Sequence, residues 1–174
     1  MALMSDPMPD RRTSDPARTW AAFEREAAEL AAFVRERLEA HRHRTIATIR
    51  LDGSPRISGT ELTIAFGELW VGGLPASRKF ADMRRDPRVA IHSGTDDPPP
   101  FPGDARVSGI ARFVEDEATK AAFLEAAGGG PPGPFELVRI ELREVSSVRE
   151  APTRDHLVIE LWRPDEAVRR IERW

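Results

Sequence analysis

Two tight reversals separated by short alternating runs constrain this chain more than any other feature. From Thr45 the residues fall into two alternating sets, Ile46, Thr48 and Arg50 against Ala47, Ile49 and Leu51, as far as Asp52 and Gly53. An Asp-Gly pair between alternating runs is a hairpin turn, because glycine adopts the positive φ that a two-residue β-turn demands. The chain returns through Arg56 to Ile64, reverses again at Phe66, Gly67 and Glu68, and enters a third short run from Leu69 to Gly73. Successive hairpins build antiparallel sheet. Parallel pairing would need a long crossover between strands, and these turns leave no room for one.

Later segments continue the pattern. Val89 to His92 begins a fourth strand, and Val107, Gly109, Ala111 and Phe113 alternate as a fifth, with Gly109 marking a bulge or a close backbone approach. Phe135 to Val148 sets Leu137, Arg139, Glu141 and Arg143 against Val138, Ile140 and Leu142, which predicts a long half-exposed strand. His156 to Trp162 reads as a further strand, and Asp165 to Trp174 is too short to choose between a helical turn and an extended tail.

Helices are inserted among these strands rather than alternating with them. After Asp15-Pro16, the residues Trp20, Phe23, Ala27, Leu30, Val34 and Leu38 share one face of a single predicted helix, a lid over one end of the sheet. Glu115 to Ala127 forms another, with Phe123 and Leu124 on its apolar side. The Gly- and Pro-rich stretches 94–104 and 128–134 are loops, the first expected to be mobile. The fold class is therefore mainly β (α+β), a small antiparallel barrel of about six to seven strands with flanking helices. Residues 1–14 have the composition of a disordered leader, leaving 15–174 as one domain.

The chemistry concentrates where the third strand stops. After Gly72 and Gly73, Pro75 and Ser77 open a short helix whose first turn carries Arg78 and Lys79. Cations oppose the positive end of a helix dipole, so an anion at that place would remove a conflict. From Ser77 to Ile91 there are five Lys/Arg against two Asp, in a chain whose net charge is −3. A strand, a glycine turn and a basic helix start together make a phosphate socket. A solvated basic helix end is the plain alternative, since neither a Walker loop nor a dinucleotide glycine fingerprint is present.

Composition removes other chemistries. With no cysteine there is no disulfide, thiolate metal site or catalytic thiol, and the four histidines lack ligand spacing apart from His41 and His43 beside a strand, so no metal site is expected. No acid and base pair and no nucleophile with its base stands out, so the catalytic residues are unassigned. The acidic balance speaks against nucleic acid, and no apolar run reaches the length of a membrane span or forms a signal-peptide core, so a cytoplasmic protein is expected.

With these residues in view, the chain resembles the pyridoxamine 5'-phosphate oxidase-like, FMN-binding split-barrel superfamily over most of residues 20–162. The likeness is densest at Ser77, Arg78 and Lys79 followed by Arg84, Arg85, Asp86, Pro87, Arg88 and Val89. It implies that Ser77, Arg78 and Lys79 hold the FMN phosphate and that Arg56 contacts it too. It also implies that Ser58, Gly59 and Thr60 lie along the flavin ring, and that Gly72 and Gly73 admit the cofactor to the backbone. Two positions depart from the oxidase itself: Glu61 stands in place of a second Lys, and Asp104 in place of a flavin-contacting Gln, inside the proline-rich loop. The stretch His156 to Arg163 offers no counterpart of the oxidase's substrate-gripping Arg and His.

The resemblance further implies a homodimer with the cofactor site at its interface, where Trp70 and Trp162 suit either contact or core. The activity it implies is FMN-dependent hydride transfer with a small organic substrate entering near the 94–104 loop. The alternatives are a deazaflavin-dependent reductase of the same fold, a non-catalytic flavin- or haem-binding protein, and a phosphate-ligand sensor.

Overall fold

A computed structural model describes residues 15–97, 101–130 and 133–174; the leader 1–14 and the tips of the two loops lie outside the described residues. Nine strands appear among the described residues: β1 Arg44–Ile49, β2 Pro55–Thr60, β3 Thr63–Ala65, β4 Glu68–Gly73, β5 Arg88–His92, β6 Asp104–Phe113, β7 Glu136–Glu150, β8 Leu157–Trp162 and β9 Arg169–Arg173. They form one antiparallel sheet in the order β2-β1-β5-β6-β7-β4-β3, with β8 on the far half of β7 and β9 on β8. The two strands beyond the expected six to seven are the short β3 and the tail strand β9, so the tail turns at Asp165 and then runs extended over Arg169–Arg173.

The sheet does not close. Strands β2 and β3 follow one another in the chain yet stand at opposite ends of the sheet, so the link Glu61–Leu62 crosses an open seam. This is the split of a split barrel.

Both predicted reversals form. Asp52-Gly53 joins β1 to β2, with Gly53 at φ +82°, and Phe66 at +54° with Gly67 at +74° joins β3 to β4. The bulge expected at Gly109 is present: Ser108 pairs with Glu144 while Gly109 pairs with Leu142, so β7 carries one extra residue there. A Cβ at Gly109 would fall on the Glu141 carbonyl oxygen and lie 2.7 Å from Ile140 Cγ2, so only glycine lets the two strands approach.

The predicted N-terminal helix is two helices, α1 Trp20–Glu26 and α2 Ala28–Glu39, broken at Ala27 with φ −144° and ψ 56°. The break lets α1 dock on the β3–β4 turn, where the Ala21 amide donates to the Gly67 carbonyl at 2.9 Å, while α2 lies over β6 and β7. Trp20, Phe23 and Trp162 pack edge to face or tilted at 5.4 and 4.9 Å, and the Trp162 indole donates to Glu26 at 3.0 Å. Burying side chains of this size supplies much of what holds the lid down, roughly 1.5–3 kcal/mol for each large apolar side chain.

Strand β7 differs from its expected half-exposed state. Every residue from Leu137 to Leu142 is buried: Val138, Ile140 and Leu142 face the barrel interior, while Leu137 joins Trp70 and Phe123 on the outer face. Helix α4, Glu117–Ala126, capped by the Asp116 carboxylate on the Thr119 amide, contributes that Phe123. Arg139 and Glu141, buried on the same outer face, stand beside Glu68 and Arg112 respectively. Trp70 and Trp162 are both core residues within this chain.

Candidate functional site

Strand β4 ends at Gly72 and Gly73, and at the second there is no room for a side chain. A Cβ on Gly73 would sit 2.8 Å from Phe80 Cε2, nearer than carbons pack. The chain turns through Leu74, Pro75 and Ala76, and helix α3, Arg78–Arg85, begins with Ser77 as its extended cap residue. Pro75 therefore stands in the turn before the helix rather than in its first turn. The Ser77 carbonyl accepts from the amides of Phe80 at 3.1 Å and Ala81 at 3.2 Å, but its hydroxyl makes no capping bond. Ser77 Oγ is buried and has no hydrogen-bond partner among the described residues. Buried hydroxyls are nearly always partnered. This one is a donor for which no described residue supplies an acceptor.

The five cations of this segment divide sharply. Arg84 lies 2.7 Å from Glu136, Arg85 lies 3.4 Å from Asp82, and Arg88 lies 2.6 Å from Asp86. Arg78 and Lys79 make no ion pair with any described residue. Lys79 instead crosses to the end of β2, where Nζ donates to the Gly59 carbonyl at 3.0 Å and to Thr60 Oγ1 at 3.1 Å. An ammonium has three donors, so one remains. Burial pushes the Lys79 amine below the usual lysine range, and the charge of Glu61 acts in the opposite sense.

Arg56 has a carboxylate of its own. Its Nε donates to Asp82 Oδ2 at 2.6 Å, and Thr48 Oγ1 donates to the same oxygen at 2.9 Å. Burial works to raise the Asp82 carboxyl, but the hydrogen bonds from Arg56, Thr48 and Arg85 outweigh it and hold the group below the usual carboxylate range. This knot fastens α3 to β1 and β2, and so fixes where Lys79 starts from.

A cleft of about 770 Å³ opens at the seam beside Lys79. Gly59, Thr60 and Thr63 form one side, and Gly72, Gly73 and Leu74 another. Phe123, Leu124 and Phe135 make an apolar wall, with Ala127 and Gly128, Gly129 and Gly130 at its rim. Phe123 and Phe135 stack with centroids 6.3 Å apart at 26°. At the mouth, Arg42 Nε donates to Glu61 at 3.0 Å, and His43 Nε2 lies 3.6 Å from the same carboxylate. The result is amphipathic: a cation and hydroxyl at one end, aromatic faces at the other. That combination suits a planar ring with an anionic tail.

Of the residues singled out in the sequence, Gly59, Thr60, Gly72, Gly73 and Lys79 share this cleft; Arg56, Ser58, Ser77 and Arg78 do not line it. Arg42, His43, Phe123, Leu124 and Phe135 line it without having been picked out. The glycine run at 128–130 was visible as a break, but nothing local says that it folds back to the end of β4. Asp104 is not in a loop. It starts β6, with Oδ2 3.4 Å from His92 Nε2, and is no part of the cleft. Among the described residues there is no cluster of three or more potential metal ligands, and no helix is long and apolar enough to cross a membrane.

The sequence profile of the pyridoxamine 5'-phosphate oxidase family matches residues 30–149. No functionally curated protein matches the chain. Among solved structures, Campylobacter jejuni ChuZ is 15% identical over 76% of this chain and 59% of its own, with a TM-score of 0.58. The conserved hypothetical protein Rv2991 from Mycobacterium tuberculosis is 26% identical over 70% of this chain and 82% of its own, at 0.53. A heme binding protein from Mycobacterium smegmatis is 19% identical over 67% of this chain and 53% of its own, at 0.52. The chain thus spans little more than half the length of the first and third of these, and the likeness to them is one of fold.

Proposed function

The chain belongs to the pyridoxamine 5'-phosphate oxidase family, and on that footing we propose that it is an oxidoreductase that holds a phosphate-bearing flavin-type ring, FMN or its deazaflavin counterpart, in the seam cleft. Hydride exchange with a small organic substrate is the chemistry such a ring supplies when bound. The observation that carries this reading is the division of the five cations. Three are neutralised by carboxylates, while Arg78 and Lys79 stand at the start of α3 without a counter-ion among the described residues, next to the Ser77 hydroxyl, unpartnered among them too.

The remaining residues have roles that follow from their chemistry. Lys79 offers its third N–H and its charge to the phosphate, and Ser77 and Arg78 add donors at the helix start. Thr60 and the Gly59 carbonyl keep the ammonium aimed at the cleft. Gly72 and Gly73 leave backbone bare where a ring approaches, and Phe123 and Phe135 exclude water from the opposite side. No haem ligand is required by this arrangement, and haem binding remains a property of the Mycobacterium smegmatis protein.

A homodimer that completes the site is part of the proposal. Ile57 on β2 is 74% exposed and Leu51 in the neighbouring turn 83%. Ile57 lies two residues before Gly59 on the same strand face, Leu51 at the turn end of the same hairpin, and large apolar side chains so open to water mark a contact surface. A second copy seated there would close the open side of the seam.

The test is ligand binding by the double variant Arg78→Ala/Lys79→Ala. Removing two charge-assisted phosphate contacts should cost about 2–4 kcal/mol of FMN affinity while leaving riboflavin binding nearly unchanged. Flavin fluorescence titration reads both. Equal FMN affinity in the wild type and the double variant would remove the phosphate assignment. Bleaching of the bound ring by a nicotinamide donor, followed by recovery on adding a candidate substrate, separates an enzyme from a carrier.

A further inference from the structure

We propose that the free edge of β9 is a docking site for an acidic, extended peptide segment of another protein, taken up as one more strand of the sheet. Strand β9 pairs with β8 alone, so one side of its backbone has no partner strand among the described residues. The phase of the ladder shows which groups that side presents. The Ala151 amide donates to the His156 carbonyl at 2.9 Å, and this contact continues the β7–β8 register, so 151 and 156 are a hydrogen-bonded pair. Bonded and non-bonded pairs alternate in an antiparallel ladder. Val158, Glu160 and Trp162 therefore bond to β7, while Leu157, Ile159 and Leu161 turn their N–H and C=O groups to Arg173, Ile171 and Arg169. The N–H and C=O groups of Arg170 and Glu172 are left pointing outward, a template for an added strand.

The side chains of the same edge say what that strand must carry. Arg169, Ile171 and Arg173 alternate along one face of β9, beside Leu161, Ile159 and Leu157 on β8. Arg169 and Arg173 are exposed, and neither makes an ion pair with any described residue. On β7, Glu150 shares that face, but Leu157 stands between it and Arg173. The opposite face is already neutralised: Arg170 lies 3.6 Å from Glu172, and Glu160 lies 2.7 Å from Arg149. Trp174, 85% exposed with one ring face on His156, extends the apolar surface at the end of the edge. Residues of an added strand opposite Arg169, Ile171 and Arg173 would take non-bonded positions, where Cα atoms approach to about 4.5 Å and side chains meet closely. Acid, apolar and acid at alternate positions answer these three. A second copy of β9 does not. Two-fold pairing centred on Ile171 sets each Arg169 against an Arg173, and centring on Arg170 or Glu172 sets that residue against itself; like charges directly opposite destabilise a sheet.

The test is fluorescence anisotropy of two labelled peptides, Ser-Glu-Thr-Val-Thr-Glu-Ser and its counterpart with lysine for both glutamates, titrated with the full chain at low salt. The wild type should bind the glutamate peptide about tenfold more tightly than the lysine peptide, since two attractive cross-strand pairs become two repulsive ones. Arg169→Glu/Arg173→Glu should reverse that order while leaving the melting temperature unchanged, because both side chains are exposed. Hydrogen exchange followed by NMR reads the geometry. In the free chain the Arg170 and Glu172 amides should exchange rapidly and those of Arg169, Ile171 and Arg173 slowly, and the glutamate peptide should protect the first pair while leaving the other three as they were. Equal binding of the two peptides, an order that survives the double charge reversal, no binding up to about 1 mM, or no added protection of Arg170 and Glu172 at saturation overturns the proposal. So does protection of those two amides before any peptide is added, which assigns the edge to a second copy if dilution removes it and to another part of this chain if dilution does not. None of these measurements involves the seam cleft, so the flavin reading stands whatever their result.

Discussion

Asparagine at position 82 tests the knot that places Lys79. Asp82 is 4% exposed and Thr48 1%, and the carboxylate serves Thr48 at 2.9 Å, Arg56 at 2.6 Å and Arg85 at 3.4 Å. The amide keeps the volume and one acceptor for Thr48, but it removes the charge that two guanidinium groups answer. Deleting one partner of a fully buried ion pair costs about 3–5 kcal/mol. Here the Arg56 and Arg85 side chains keep 23% and 36% of their exposure and can recover some hydration. The expected loss is therefore lower, about 2–3 kcal/mol, or some 5–10 °C in melting temperature for a chain of this length.

The pH dependence gives the sign. The native Asp82 carboxyl titrates below the usual carboxylate range, so its contribution is fully present above the unfolded value, about pH 4, and disappears as pH falls through the native one. Urea unfolding followed by tryptophan fluorescence, at about pH 7 and about pH 3 and at matched ionic strength, should show a wide gap between wild type and Asp82→Asn at the first and a smaller one at the second. A deficit under about 0.5 kcal/mol at neutral pH, within the range of an ordinary surface change, would refute the account of the knot. An equal deficit at both pH values would assign the loss to shape rather than charge.

Other expectations are narrower. If the proposed homodimer uses this face, Ile57→Glu should run as a monomer in size-exclusion and light-scattering measurements where the wild type runs as a dimer, with the fold of the chain intact, because the side chain is exposed in the isolated chain. A variant that stays dimeric would move the contact surface elsewhere. Gly109→Ala should destabilise by about 1–3 kcal/mol, since the added methyl meets the Glu141 backbone and not a side chain that can swing away. A melt unchanged by that substitution would mean that β6 and β7 can part at the bulge.

What could be read in advance and what could not separate along a physical line. The Asp52-Gly53 turn and the bulge at Gly109 were legible because each is a demand on the backbone that one residue type meets. The basic start of α3 was legible for the same reason: Arg78 and Lys79 are neighbours in the chain. The break at Ala27 was not legible, because the apolar period runs unbroken through both helices, and only docking of Ala21 against Gly67 requires the bend. The buried charges of β7 misled in the same manner. Arg139 and Glu141 alternate like surface residues, yet the outer face on which they lie is covered.

The sequence by itself determined an antiparallel, hairpin-built sheet and a cationic helix start, since turns, strand alternation and charge runs act over a few residues. Only the tertiary structure decided what those cations face. It gave Arg56 to Asp82, left Arg78 and Lys79 without a carboxylate among the described residues, set Glu61 at the mouth beside Arg42 and His43, and brought Phe123 and Phe135 to the far wall of the same cleft. These partners lie far apart along the chain. Electrostatic pairing and packing depend on distance in space, which local sequence does not encode.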